Sequence, residues 1–292
     1  MGREILRKIG GTYGMEDKLN MIQLSENSKM NDKNDIYLPS QQSANVLFKF
    51  ITKLDYLKEV IKHEAIIPRY YEEIIEYLNI KEYTKIAFPM SCFCDIHLNK
   101  LVSHMNFYGY YGIGLNKEWG IKGGVQPIQY INSNSSLLND YKLIFKKSLK
   151  TNKEDRFVIK DYSNYLLTNL MFMKPLEGKM LRNGKYERRN FHDEREWRYV
   201  PNMNKIDTEL PLIIPSVHMN VRAYIAYSNA IKQCSDIWLK YQYENIKYII
   251  VKSNNDRLNL IRFIKDEIMT TDDEKFILIS KILVFEELEE DW

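Results

Sequence analysis

The segment Phe191-His192-Asp193-Glu194-Arg195-Glu196-Trp197-Arg198-Tyr199-Val200-Pro201 holds the most concentrated set of chemically capable side chains in the sequence. Read as an extended strand, its two-residue period puts Glu194, Glu196 and Arg198 on one face and Arg195, Trp197 and Tyr199 on the other. Two carboxylates and a guanidinium on one face are costly to bury unpaired. That face is therefore either solvated or a polar site. As a site, a carboxylate beside an arginine suits a polar, anionic ligand and stabilisation of charge developing at a sugar or carbonyl carbon. As a surface, the same pattern is the exposed face of an edge strand with an internal ion pair, and charge runs are more often of that kind. His192, next to this strand, has the chemistry of a proton donor, although a surface histidine is the commoner outcome.

Three further groups invite a chemical reading. Cys92-Phe93-Cys94 with His97 and His104 offers thiolate and imidazole, the ligand types of zinc. A second cysteine pair at metal-ligand spacing is missing, so two small buried cysteines in a core strand, and no metal, are expected. Tyr108, Tyr110 and Tyr111 interleave with Gly109, Gly112 and Gly114. Glycine lets a ligand or another part of the chain approach closely, and tyrosines there could stack on a flat ring; an aromatic strand packed on a helix, with bulges at the glycines, is the plainer reading. Lys49, between Phe48 and Phe50, is either an edge charge that guards against aggregation or a point charge for a phosphate. Tyr70 and Tyr71 beside Glu72 and Glu73 read as a helix start. The glycines Gly10, Gly11 and Gly14 are too few and badly spaced for a phosphate loop, and no Ser-His-Asp series, H-E-x-x-H or dinucleotide fingerprint occurs.

The elements that must position these residues follow from periodicity. Val46 to Ile51 reads as a strand. Thr52 and Asp55 resemble a capping pair before a helix through Leu54, Leu57, Val60 and Ile61. Tyr71, Ile74, Ile75 and Leu78 mark a second helix. Ile86 to Cys94 reads as a buried strand, Leu98 to Met105 as a short helix, and Tyr110 to Leu115 and Val125 to Ile131 as strands. Leu138 to Leu149 and Tyr162 to Met173 are helical. Asn183-Gly184 signals a hairpin between Lys179-Met180-Leu181 and the strand bearing the carboxylates. Val221 to Ala226 reads as a strand, followed by a helical stretch through Ile231 and Trp238. Tyr248 to Val251 reads as a strand, Asp256 to Ile268 as a helix, and Phe276 to Phe285 as a final strand before an acidic, fraying tail. Without a regular βαβ rhythm, the mixture predicts an α+β fold, a mixed and mostly antiparallel sheet with packed helices. The polar run 26–35 marks residues 1–43 as a partly flexible N-terminal extension to a domain spanning 44–292.

Composition narrows the class. With 42 basic and 39 acidic residues among 292, the net charge of +3 makes no electrostatic case for nucleic acid. Three cysteines point away from a disulfide framework and toward a reducing cytoplasm. No apolar run approaches the roughly 18 residues of a membrane span, and residues 1–20 lack a signal-peptide core. A cytoplasmic protein is expected.

Several blocks, in order, resemble the AbiGi family of bacterial abortive-infection proteins of phage resistance. They are Ser43 to Leu57, Ile67-Pro68-Arg69-Tyr70-Tyr71-Glu72-Glu73-Ile74, Pro89 to Ile96, Tyr108 to Leu115 with Glu118-Trp119-Gly120, and Glu194 to Tyr199. The resemblance spans roughly residues 43–270. It implies the non-catalytic antitoxin or regulatory partner of a nucleotidyltransferase-like toxin. A more distant similarity is to the ADP-ribosyltransferase plan, in which a strand residue grips NAD, aromatics stack its nicotinamide and a glutamate stabilises the oxocarbenium-like ribose. Carried over, Lys49 takes the gripping position, Tyr110 or Tyr111 stacks, and Glu196 is the catalytic carboxylate, supported by Glu194 and Arg198. That similarity implies an effector that uses NAD to transfer or release ADP-ribose. Lys49 departs from the His or Arg of that plan and lacks the planar fork of arginine.

Overall fold

A computed structural model describes residues 37–80, 83–150, 156–182, 184–214 and 218–289. Gly10, Gly11, Gly14 and the polar run 26–35 lie outside the described residues, as does Asn183. The β-branched and aromatic runs form strands, as their packing on a pleated surface favours. In chain order these are β1 (Val46–Ile51), β2 (Ala65–Ile66), β3 (Arg69–Ile74), β4 (Lys85–Cys94), β5 (Tyr111–Asn116), β6 (Gln126–Pro127), β7 (Gln129–Ile131), β8 (Met173–Pro175), β9 (Glu177–Arg182), β10 (Lys185–Asn190), β11 (Glu196–Tyr199), β12 (Leu239–Lys240), β13 (Ile246–Val251) and β14 (Ile282–Val284). The main sheet runs β14-β13-β5-β1-β4-β11-β6, with β3 also paired to β4. Its pairings are antiparallel except β13 with β14. The fold is α+β with a mixed, mostly antiparallel sheet.

Helices cover both faces. Leu54–Lys62 buries Leu57, Val60 and Ile61 against Ile113, Ile249 and Leu260, the last from the helix Asn254–Glu267. On another side, Met105 of the helix Val102–Tyr108 packs with Phe48, Cys94, Ile250 and Phe285. A third cluster joins Phe88 and Met90 of β4 to the helices Ser136–Lys150, Arg156–Met171 and Val221–Ile231. The glycines of β5 have a packing role: Phe48 stands opposite Gly114 and Phe50 opposite Gly112, and a Cβ at either glycine would meet those rings at 2.8 and 2.7 Å. The β1–β5 register runs unbroken past both glycines, while on the other side a register irregularity lies in β13 between Ile246 and Tyr248, opposite Leu115 and Gly114.

Several elements differ from the sequence reading. Tyr71 to Leu78 is not a helix: Arg69–Ile74 is strand β3, followed by a short 3-10 turn at Glu76–Leu78. Val221 to Ala226 belongs to a helix, started by Asn220, whose side chain accepts from the Ala223 N–H. Phe276 to Ser280 closes the helix Asp272–Ser280, capped by Thr271, so strand is confined to Ile282–Val284. The helix Leu54–Lys62 has Lys53 at its N-cap and no side-chain cap bond, in place of the Thr52–Asp55 pair. The hairpin beside Gly184 joins β9 to β10, not to the carboxylate-bearing strand. The acidic residues Glu286 and Glu287 lie in a short helix, Phe285–Leu288.

Buried Lys117 fastens residues 40–43 to the sheet. Its ammonium lies 2.8 Å from Asp95 and donates to the Ser40 and Ser43 hydroxyls at 3.2 and 3.0 Å.

Gly109 links the helix Val102–Tyr108 to β5 at φ +119°, and a Cβ there would sit 2.5 Å from the Ile51 carbonyl oxygen. Gly184 has φ +77° with nothing within 4 Å. Gly109→Ala should therefore cost about 3 kcal/mol or more, from backbone strain and steric conflict together, and Gly184→Ala only about 1 kcal/mol. Urea unfolding midpoints of the two variants check this ordering.

Candidate functional site

The segment from Phe191 to Pro201 is not one continuous strand. His192–Glu194 form a 3-10 turn, Arg195 takes the left-handed conformation at φ 43°, and β11 begins at Glu196. The turn nevertheless returns Glu194 to the side of Glu196 and Arg198, and their exposures are 3%, 5% and 0%. The expected solvated edge face is thus corrected: β11 lies inside the sheet, between β4 and β6, with Glu196 opposite Cys94 and Arg198 opposite Cys92. His192 is exposed, its ring edge-on to Tyr130 at 5.3 Å.

Burial is possible because each charge has a partner. Arg198 Nε donates to Glu196 Oε1 at 2.5 Å, and one terminal nitrogen reaches Glu73 Oε1 at 2.9 Å. Its other terminal nitrogen donates to the Met171 carbonyl at 2.7 Å, satisfying an acceptor at the end of the helix Arg156–Met171. Lys174 Nζ lies 2.8 Å from Glu196 Oε2, 3.6 Å from Glu194 and 3.8 Å from Glu73. Glu194 Oε1 accepts from Tyr108 Oη at 2.5 Å and Arg189 Nε at 2.9 Å. The Glu196 N–H donates to the Tyr130 hydroxyl at 2.7 Å.

These contacts fix the protonation states. Burial opposes ionisation of Glu196, but the charges of Arg198 and Lys174 outweigh it and hold the carboxyl well below the ordinary range. Burial likewise opposes a charged Lys174, yet Glu196, Glu73 and Glu194 keep its ammonium well above its usual value. The Tyr108 phenol is pushed up by burial and by Glu194, so it stays a donor.

The network forms part of the wall of a cavity of about 430 Å3. β1 and β4 share a single register pair, Phe48 with Cys94, and residues 48–50 and 92–94 both line the space beyond it. Glu194, Glu196 and Lys174 contribute from one side and β3 from another, while Lys179, Met180, Leu181 and Gly184 bring the β9–β10 hairpin over it. Of the residues to which the ADP-ribosyltransferase similarity gave roles, Lys49, Glu194 and Glu196 reach the cavity; Arg198 lies behind Glu196. Tyr110 and Tyr111 do not line it. Tyr110 donates to Asn106 and packs on Phe285, and Tyr111 donates to Asp256. The turn at Gly109 sends them away, and of the three tyrosines in this segment Tyr108 is the one at the cavity. Cys92 lines the cavity with a thiol that burial pushes up, away from reactive thiolate. Among the described residues no group of three His, Cys, Asp or Glu is arranged to hold a metal.

Sequence reasoning missed Glu73, Lys174 and Arg189. Glu73 was obscured by the helical reading of its segment. Lys174 precedes Pro175, and a residue before proline favours extended backbone, which was the available signal for β8.

His104 also lines the cavity, its ring 4.4 Å from that of Tyr108, and burial with Arg189 lowers its pKa from 6.5 to about 3. A depressed histidine pKa stabilises the fold above the unfolded value and is lost as pH falls from 6.5 toward 3. The protein should lose about 1.4 kcal/mol per pH unit in this window from His104 alone, and His104→Phe should flatten that slope in urea titrations between pH 7 and 5.

Residues 64–252 match the family profile described as "Putative abortive phage resistance protein AbiGi, antitoxin". The chain is also 36% identical over 252 residues to "Abortive phage resistance protein AbiGi" of Lactococcus lactis subsp. cremoris, covering 78% of this chain and 100% of that relative. No solved structure matches it. On the extent of both matches, this chain belongs to the AbiGi family.

Proposed function

We propose that the chain acts in anti-phage defence by abortive infection, as the non-catalytic antitoxin or regulatory partner of a nucleotidyltransferase-like toxin. The family description supports the defence role and the antitoxin assignment. The structural observation that carries the non-catalytic reading is the state of Glu196. Oε1 accepts from Arg198 and Oε2 from Lys174. A carboxylate that stabilises a ribosyl cation must turn an oxygen toward the sugar with its charge uncompensated. Here both oxygens are engaged and the charge is neutralised by the protein itself. Among the described residues no helix is long and apolar enough to cross a membrane.

The second reading is the NAD-using effector. One observation favours it: Glu196, Lys49 and a tyrosine, Tyr108, line the same cavity. It requires Lys174 to release Glu196 when substrate enters.

One substitution separates the two. Glu196→Gln leaves Arg198 and Lys174 short of a buried counter-charge and should destabilise the fold by about 3–5 kcal/mol. Under the partner reading, rescue of cells expressing the toxin should decline only as far as the folded fraction does, and purified protein should leave NAD intact with or without phage-infected lysate. NAD loss or label transfer by the wild type, absent from the folded variant at low temperature, would replace the partner reading with the effector.

A further inference from the structure

The cavity contains more positive charge than its own carboxylates neutralise. Glu72 is taken by Lys85 at 3.0 Å and accepts the hydroxyls of Tyr186 and Tyr224. Glu73, Glu194 and Glu196 are taken by Arg198, Arg189 and Lys174, and Lys179 pairs with Glu76 at 3.2 Å. Lys49 and Arg69 line the same space. Neither forms an ion pair with a described residue. The Lys49 ammonium instead lies 5.8 Å from the Phe93 ring centre. Burial disfavours the charged form of Lys49, with Arg69 adding to it and the Glu196 carboxylate only partly opposing it. A half-buried ammonium and a guanidinium that repel one another are an unfavourable arrangement for the empty protein, and an anion relieves it.

The space exceeds what an inorganic anion fills. At about 430 Å3 it falls in the range of small-molecule sites. Its walls include the rings of Phe50, Phe93, Tyr108 and an uncharged His104. Such surfaces accept a flat ring on a face or an edge, and neutral imidazole supplies one donor and one acceptor.

We infer that this cavity binds a small anionic ligand carrying a flat ring, its phosphate or carboxylate held by Lys49 and Arg69 and its ring lodged among Phe50, His104 and Tyr108. Arg69 supplies the planar fork that Lys49 lacks, and Lys49 a compact charge. The site uses neither oxygen of Glu196 and stands whether or not the chain turns over NAD, so its failure leaves toxin neutralisation untouched.

Calorimetric titration of the full chain with adenosine 5′-monophosphate, benzoate, adenosine and inorganic phosphate tests this. The monophosphate separates a phosphate site from the carboxylate site that benzoate reports. One of the two should bind at one equivalent, adenosine at least about tenfold more weakly, and inorganic phosphate should compete. Lys49→Met and Arg69→Met should each weaken binding about tenfold or more, with no fall in the urea midpoint, since each removes an unpaired charge. Lys49→Arg should retain binding, and phosphate competition on the unaltered protein reads the site without any substitution. No binding of either anion at millimolar concentration, equal binding of adenosine, absence of competition, or undiminished binding by the folded double variant would overturn the inference.

Discussion

The guanidinium of Arg198 must be satisfied without water. It is fully buried, and its acceptors come from three places: Glu196 on its own strand, Glu73 on β3 and the Met171 carbonyl at a helix end. Lys174, three residues beyond that carbonyl, completes the neutralisation of Glu196. A buried ion pair is costly to form and more costly to break on one side. A slip of β11 by one residue against β4 would turn Arg198 to the opposite face of the sheet and strand all of these groups at once. The positions of β3, β8 and β11 around the cavity follow from that requirement.

The two functional readings differ in what they ask of the same carboxylate. A partner protein needs Glu196 only as a counter-charge, and the geometry supplies that. An enzyme needs it as an exposed, uncompensated oxygen, which requires rearrangement of Lys174. The surplus charge of the cavity lies elsewhere, at Lys49 and Arg69, so ligand recognition and the stability of the network are carried by different side chains.

Much of the framework was legible from local pattern. The apolar runs at β1, β4, β5 and β13 and the helix over 254–267 declare themselves by period. So does the common side of Glu194, Glu196 and Arg198, because burial alternates through the turn as it does through the strand. Their burial was not legible. The groups that make it tolerable, Glu73 and Lys174, lie 125 and 22 residues from their partners; without them a charged face reads as a wet one. Tyr70-Tyr71-Glu72-Glu73 suits either period and becomes a strand through pairing with β4. Tyr110 and Tyr111 adjoin Tyr108 in sequence but lie past the reversal at Gly109, so adjacency misplaced the aromatic wall. At 221–226 and 276–280 apolar content alone read as strand, and the signals passed over were the helix caps Asn220 and Thr271.

The place of β1 has a consequence for how the family is delimited. The matched residues begin at 64, yet Val46–Ile51 lies in the middle of the sheet, hydrogen-bonded along β5 and joined to β4 through Phe48. β14, on the far side of β13, likewise falls after residue 252. The stretch matched by the family profile is therefore smaller than the folded sheet to which it contributes. A chain trimmed to residues 64–252 would lose the strand between β4 and β5 and expose their unpaired, largely apolar edges, the kind of surface through which proteins aggregate.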